Sequence, residues 1–235
     1  MWLARPGSAD VNAHALLDEV EAERAGRFAF DRDRVQYIFA HGLLRLTLAG
    51  YLDVDPPALR FVARANGRPE LASATGLPPL RFNLSHTDGL VACVITGTPE
   101  CGVDVESLSR VDYRDLVSAV LAPSEVAELA GLPEERRADR FLQIWTLKEA
   151  YVKGRGLGLA LPLREIAFSD RGGAPECLGL SLGDDGRGWR FWSGRPTASH
   201  RAAVALRTGR DRATLTIREV DSHLHRYRTR SIVSV

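Results

Sequence analysis

The chain has 235 residues, 45% of them apolar and 26% charged, with a formal net charge of +1. That length can bury a core in one large domain or two small ones, and the near-zero charge excludes broad electrostatic binding to nucleic acid or a membrane surface. No apolar run is long enough to span a bilayer, the N-terminus lacks the pattern of a signal peptide, and Cys93, Cys101 and Cys177 make no disulfide framework or C-x-x-C pair; the expectation is a cytoplasmic protein with free thiols.

Asn12 to Arg27 carries apolar positions at Ala13, Leu16, Leu17 and Val20, an amphipathic helix. A second helix is predicted from Asp31 to Leu52, with Val35, Ile38, Phe39, Leu43, Leu46 and Ala49 as its apolar stripe, and Asp53 to Pro57 ends it because two prolines cannot continue a helix. Leu59–Ala65 and Arg68–Ala72 read as a hairpin about Asn66-Gly67, Leu80–His86 and Leu90–Thr96 as strands about Thr87-Asp88-Gly89, and Cys101–Glu106 as another strand. Helical segments follow over Tyr113–Leu121, Ser124–Leu129 and Glu134–Lys153, then a glycine-rich stretch to Gly158 and Pro162. Five strands are predicted beyond it, at Glu165–Ser169, Cys177–Leu182, Trp189–Trp192, Ala202–Arg207 and Ala213–Glu219, and the tail from about His223 carries no usable signal.

The order of elements repeats. Arg81-Phe82 before Ser85-His86 and the Val91-Ala92 strand is echoed by Arg190-Phe191 before Ser199-His200 and the Ala202–Val204 strand. The echo suggests a duplication giving two α+β halves, each an antiparallel sheet packed with helices, divided near Thr98–Glu100 into residues 1–100 and 101–235.

Two features point to chemistry. Of the 31 basic residues only Lys148 and Lys153 are lysines, both in Trp145-Thr-Leu-Lys-Glu-Ala-Tyr-Val-Lys153. An ammonium on a flexible stem is a different object from a planar guanidinium, so these positions call for a point charge, or the two simply share a solvated face with Glu149 and Lys153 as an i,i+4 pair. About forty residues upstream, Gly102-Val-Asp-Val-Glu106 reads as a strand with Asp104 and Glu106 on one face. Adjacent carboxylates repel unless protonated or bridged by a hard cation such as Mg2+; a solvated acidic edge is the other reading.

Taken together, G-V-D-V-E followed by W-T-L-K-E-A-Y-V-K resembles the paired signature of the 4'-phosphopantetheinyl transferases of the surfactin-synthetase-activating type. Asn66-Gly-Arg-Pro69 and Phe82-Asn-Leu-Ser-His86 resemble two further blocks of that family in its order. The resemblance is close over residues 24 to 170. It implies a pseudo-two-fold pair of halves with the active site in the cleft between them, and transfer of phosphopantetheine from coenzyme A to a serine of an apo acyl or peptidyl carrier protein, releasing adenosine 3',5'-bisphosphate. It also implies a monomer that uses Mg2+, with Mn2+ as a substitute.

Residue by residue, the resemblance makes Asp104, Glu106 and Glu149 the metal carboxylates, with Glu106 the most tolerant of change. Lys153 reaches the pyrophosphate, His86 after Ser85 contacts phosphate, Arg68 binds the 3'-phosphate, and Gly67 lets the backbone approach. Arg24, Arg27, Arg32, Arg34 and Arg45 lie where the family gathers further cations, although ion pairs with Glu21, Glu23, Asp31 or Asp33 account for most of them. Glu149 or a metal-bound water is the general base. Lys148 is open between packing and carrier contact, and Trp145 is a core residue. Leu116, Val117, Val120, Leu121, Arg136, Arg137 and Arg140 are the candidate carrier face, or else core and solvated charge. A Mg2+-dependent hydrolase of nucleotide pyrophosphates, or a non-catalytic coenzyme A or carrier-binding module, are the competing readings.

Overall fold

The structure, a computed structural model, describes residues 1–6, 11–63, 68–72, 78–109, 112–158, 161–169, 174–180, 186–209, 212–224 and 227–234. Two units emerge: Met1–Thr98 with Leu215–Val233, and Pro99–Thr214 with Ser234–Val235. In chain order the first unit begins with β1 (Trp2–Ala4), α1 (Val11–Ala15), α2 (Glu19–Gly26), α3 (Asp31–Leu52), β2 (Phe61–Ala63), β3 (Pro69–Leu71), β4 (Arg81–Thr87) and β5 (Leu90–Thr96). The second holds β6 (Cys101–Ser107), α4 (Val117–Val120), α5 (Pro123–Ala130), α6 (Glu134–Arg155), β7 (Ile166–Ser169), β8 (Glu176–Leu180), β9 (Trp189–Thr197) and β10 (His200–Arg207). The chain then returns to the first unit with β11 (Thr214–Val220) and β12 (Tyr227–Ser234).

In the first unit the sheet runs β12-β11-β1-β5-β4. The α+β class expected from the sequence holds, with one parallel ladder, β1 to β11, among antiparallel ones. The division at residue 100 needs correcting at its far end: β11 belongs with the first unit because Trp2, Leu3 and Ala4 pair with Arg218, Glu219 and Val220. The helix expected over Asn12–Arg27 is two helices. Asp18 breaks it, its carboxylate accepting the Glu21 N–H at 2.9 Å to cap α2. Helix α3 ends at Asp53 in the left-handed region, φ 54, ahead of Pro56 and Pro57. Phe39, Ala40, Leu43 and Leu48 of this helix pack with Trp2, Phe82, Val91 and Cys93 as the unit's core. The Asn66-Gly67 turn lies outside the described residues, though its flanks β2 and β3 pair antiparallel.

In the second unit β10 is flanked by β6 and β9, and β7 pairs with β8. Gly102, Asp104 and Glu106 of β6 stand opposite Ala205, Ala203 and Arg201 of β10. Side chains alternate along a strand, so these six share one face. Helix α6 crosses that face, and its approach is so close that a Cβ on Gly102 would lie 1.9 Å from the Ala150 carbonyl oxygen and 2.4 Å from the Gly154 nitrogen. Gly154 is equally constrained, since a Cβ there would meet the Trp189 ring at 2.8 Å. Leu147, Ala150 and Tyr151 of the helix pack with Ile166, Phe168, Trp189, Phe191, Ala203 and Ala205, while Phe141, Leu142 and Ile144 pack with Tyr113, Val120, Leu121 and Leu129. Helix α6 stops at Gly156, φ 66, whose N–H bonds back to Lys153 and Val152.

The internal echo is not a positional repeat. Ser85 and His86 lie within β4, which ends at Thr87, with His86 opposite Val91, whereas Ser199 sits in a turn and His200 opens β10 opposite Thr197.

Gly102→Ala should cost about 3 kcal/mol or more in urea unfolding, because backbone rather than a pliable side chain occupies the space. Gly50→Ala, inside α3 with nothing within 4 Å, should stabilise by about 1 kcal/mol.

Candidate active site

The contact of α6 with β6 assembles a charged cluster within the second unit. Asp104 is 3% exposed, and its Oδ1 accepts a hydrogen bond from Lys153 Nζ at 2.5 Å. Glu149 lies one helical turn before Lys153 on the same face of α6. Burial pushes the Glu149 carboxyl above its ordinary value, the neighbouring Asp104 charge pushes it further, and Lys153 opposes both. Two carboxylates and one ammonium therefore lie together, Asp104 buried and Glu149 and Lys153 half-buried. Glu106 sits two residues along the strand on the same face and is half-buried.

The strand and helix bring Asp104, Glu149 and Lys153 together, but among the described residues no three His, Cys, Asp or Glu side chains are close enough to hold a metal ion as they stand. Lys153, expected at the pyrophosphate, here pairs with Asp104. As a donor set, hard carboxylate oxygens whose mutual repulsion raises a pKa suit a hard divalent cation.

The second lysine has a different role. Lys148 is rotated about 100° from Glu149 and is fully buried. Its three N–H groups reach the Val120 carbonyl at 2.7 Å, the Leu163 carbonyl at 3.1 Å and the Glu125 carboxylate. Glu125 in turn accepts the Ala122 N–H and the Phe168 N–H, each at 2.8 Å. Burial pulls the Lys148 pKa down and Glu125 opposes that shift. Of the two roles open to Lys148, packing is therefore the one it has. Glu125 was missed, although an acid at the third position of the Pro123-Ser-Glu helix start was a legible capping signal.

In the first unit Ser85 is buried and His86 exposed, on opposite faces of β4. Arg68 donates to the Phe82 carbonyl at 3.1 Å and lines a cavity of about 260 Å³ with Pro69, Glu70, Arg81, Phe82 and Thr98. Gly67 lies outside the described residues. Arg27 pairs with Glu23, Arg34 with Asp31 and Arg32 with Asp33, all at exposed positions where such pairs contribute little. Arg24 stacks over the Tyr37 ring at 5.6 Å. Burial pushes the Tyr37 hydroxyl up to about 12, with the Glu21 charge adding to the effect.

Arg45 must be withdrawn as a coenzyme A contact. Its side chain is fully buried and is held by the Asp18 and Glu21 carboxylates, by the Pro56 carbonyl at 2.7 Å and by the Leu59 carbonyl at 3.2 Å. Burial alone would raise the Glu21 pKa, but hydrogen bonds from His41 and Arg45 outweigh it and leave the carboxyl low. The arginine ties α2 and α3 to the segment that follows them, and its guanidinium has no face left for a phosphate.

The residues of the expected carrier face divide between interior and surface. Val120 and Leu121 are buried, Arg140 pairs with Glu128 at 2.8 Å, and Arg137 pairs with Glu134 and donates to the Leu132 and Ala130 carbonyls. Leu116 and Val117 are half-buried and Arg136 is exposed.

Comparison with known proteins covers most of the chain. Residues 100–205 match the 4'-phosphopantetheinyl transferase superfamily, and residues 4–99 match the family described as 4'-phosphopantetheinyl transferase, N-terminal. The 4'-phosphopantetheinyl transferase HetI of Nostoc sp. is 36% identical over 168 residues, 71% of this chain and 70% of HetI. The 4'-phosphopantetheinyl transferase Sfp of Bacillus subtilis is 25% identical over 165 residues, 69% of this chain and 71% of Sfp. The chain belongs to the 4'-phosphopantetheinyl transferase family, and it is an enzyme of that class.

Lys148→Met should cost about 3–5 kcal/mol in urea unfolding because it strands the buried Glu125 carboxylate. Adding Glu125→Gln should recover part of that loss; equal stability of parent and Lys148→Met would contradict the buried-pair account.

Proposed function

We propose that the enzyme transfers 4'-phosphopantetheine from coenzyme A to a serine of an apo acyl or peptidyl carrier protein, with Mg2+, releasing adenosine 3',5'-bisphosphate. The observation that carries this reading is the cluster of Asp104, Glu149 and Lys153. Its residues match what the reaction needs: oxygen ligands for a hard cation, a mobile ammonium for phosphoryl charge, and a carboxylate basic enough to take a proton.

In the proposed reaction the carrier serine Oγ attacks the β-phosphorus of the pyrophosphate. A new P–O bond forms, the bond to the bridging oxygen breaks, and the leaving bisphosphate carries away the electron pair. Glu149, whose basicity is raised by burial and by Asp104, accepts the serine proton directly or through water. Lys153 moves from Asp104 to the developing negative charge, which a flexible stem permits and a rigid guanidinium would not. Asp104, Glu106 and Glu149 would hold Mg2+, which supplies charge neutralisation on the pyrophosphate oxygens. Arg68 and His86 would bind nucleotide phosphates. The three free cysteines, two of them buried, fit a reducing cytoplasm.

Incubation with coenzyme A, Mg2+ and a panel of apo carriers, read by intact mass, tests the reading. The expected result is a gain of one phosphopantetheine group on a carrier serine. Asp104→Asn and Glu149→Gln should each lower the rate by about 100-fold or more, and Lys153→Arg by about tenfold despite its retained charge. Free hydrolysis of coenzyme A with no mass gain on any carrier would overturn the reading in favour of a pyrophosphate hydrolase.

A further inference from the structure

In the first unit His86 lies where the sheet and the helix that covers it meet at one end. Strand β4 ends the sheet and pairs with β5, closing at Thr87 opposite Leu90 through Asp88 and Gly89, the glycine at φ 77. Side chains alternate along β4, so His86 shares a face with Phe82 and Leu84, which pack in one core with Phe39, Ala40 and Leu43 of α3. Phe82 is buried, Leu84 half-buried and His86 exposed, so the cover thins along the strand towards the turn. At that end α3 makes a polar contact. Gln36, half-buried in the second turn of the helix, donates from Nε2 to the Thr87 carbonyl at 2.5 Å.

We infer that Gln36 is a positioning residue for phosphate binding: its bond to the Thr87 carbonyl fixes the β4–β5 turn against α3, and with it the exposed His86 side chain one residue before. The inference rests on the reading of His86 as a contact to a nucleotide phosphate. Its physical basis is that a phosphate contact gains from a donor held in place before the ligand arrives, since freedom lost on binding weakens it. The backbone of His86 is held on one side by β5, where it stands opposite Val91. Exposed turns are the part of a hairpin that opens most readily, and a side-chain amide reaching from the helix ties this one to the other layer of the unit. Glutamine suits that task because its amide N–H donates to the carbonyl without placing a charge beside a site for an anion.

A bond that merely fastens α3 to the sheet differs in its consequences from one that acts through His86. In the first case any loss of ligand binding at Gln36 should add to the loss caused by His86→Ala; in the second, the two losses overlap. The measurement is titration calorimetry of the purified protein with adenosine 3',5'-bisphosphate, with no carrier and so no turnover, on variants shown by urea unfolding to be folded at the titration temperature. Gln36→Met keeps the length of the side chain and the preference for a helix, and removes the donor. It should weaken binding by about fivefold to tenfold, the size of one hydrogen bond. His86→Ala should weaken binding at least as much, and the double variant should bind no more weakly than His86→Ala alone. Parental binding by Gln36→Met overturns the inference. So does a double variant whose loss is the product of the two single losses. Parental binding by His86→Ala removes the phosphate role of His86 and this inference with it, while leaving Asp104, Glu149 and Lys153 as assigned. A parent that binds neither the bisphosphate nor coenzyme A overturns the proposed substrate and this inference together.

Discussion

Everything chemical in the second unit depends on how closely α6 lies on β6. At Gly102 and Gly154 neither element carries a side chain, and the helix backbone approaches the strand to distances that a single Cβ would prevent. Because side chains alternate along the strand, that contact also aims Asp104 and Glu106 at the helix rather than at solvent on the far side. A carboxylate that ends 3% exposed beside a lysine and a glutamate is then a consequence of backbone packing, and the shift in Glu149 follows from the burial.

Helix α6 distributes its ionic contacts according to its period. Asp139, Glu149 and Lys153 face the sheet, while Lys148 points away from them towards α5. The sheet-facing contacts keep some exposure, with the Lys153 side chain 31% and the Arg201 side chain 14% exposed. The Lys148–Glu125 pair is the reverse. Every N–H of the ammonium has an acceptor, and the glutamate binds two backbone N–H groups as well, so the pair fixes α5 and β7 against the helix. Arg45 does the same in the first unit, with two carboxylates and two carbonyls around one guanidinium.

Much of this was legible in the sequence because local periodicity recorded it. Strand β5 ran over the residues expected, α3 and α6 lay within two residues of their predicted limits, and the shared face of Asp104 and Glu106 followed from alternation. What escaped was set by distant partners. Trp2–Ala4 is too short to carry a pattern of its own and is a strand because β11 and β5 pair with it, and β12 lay in a tail with no distinctive pattern. Arg45 stood in a run of arginines, and only its three-dimensional surroundings distinguish an internally satisfied guanidinium from one open to a ligand. The rarity of lysine drew attention to two positions that the structure places differently: Lys153 pairs with Asp104 at a partly exposed position, and Lys148 is a buried tie.

The central claim is that the β6–α6 contact holds Glu149 half-buried beside the charge of Asp104. Carboxyl 13C NMR of Glu149 against pH measures this directly. The account predicts a midpoint above the ordinary glutamate value of 4.5 that falls when Asp104→Asn removes the neighbouring charge. A midpoint at or below 4.5 that is indifferent to Asp104→Asn would contradict it.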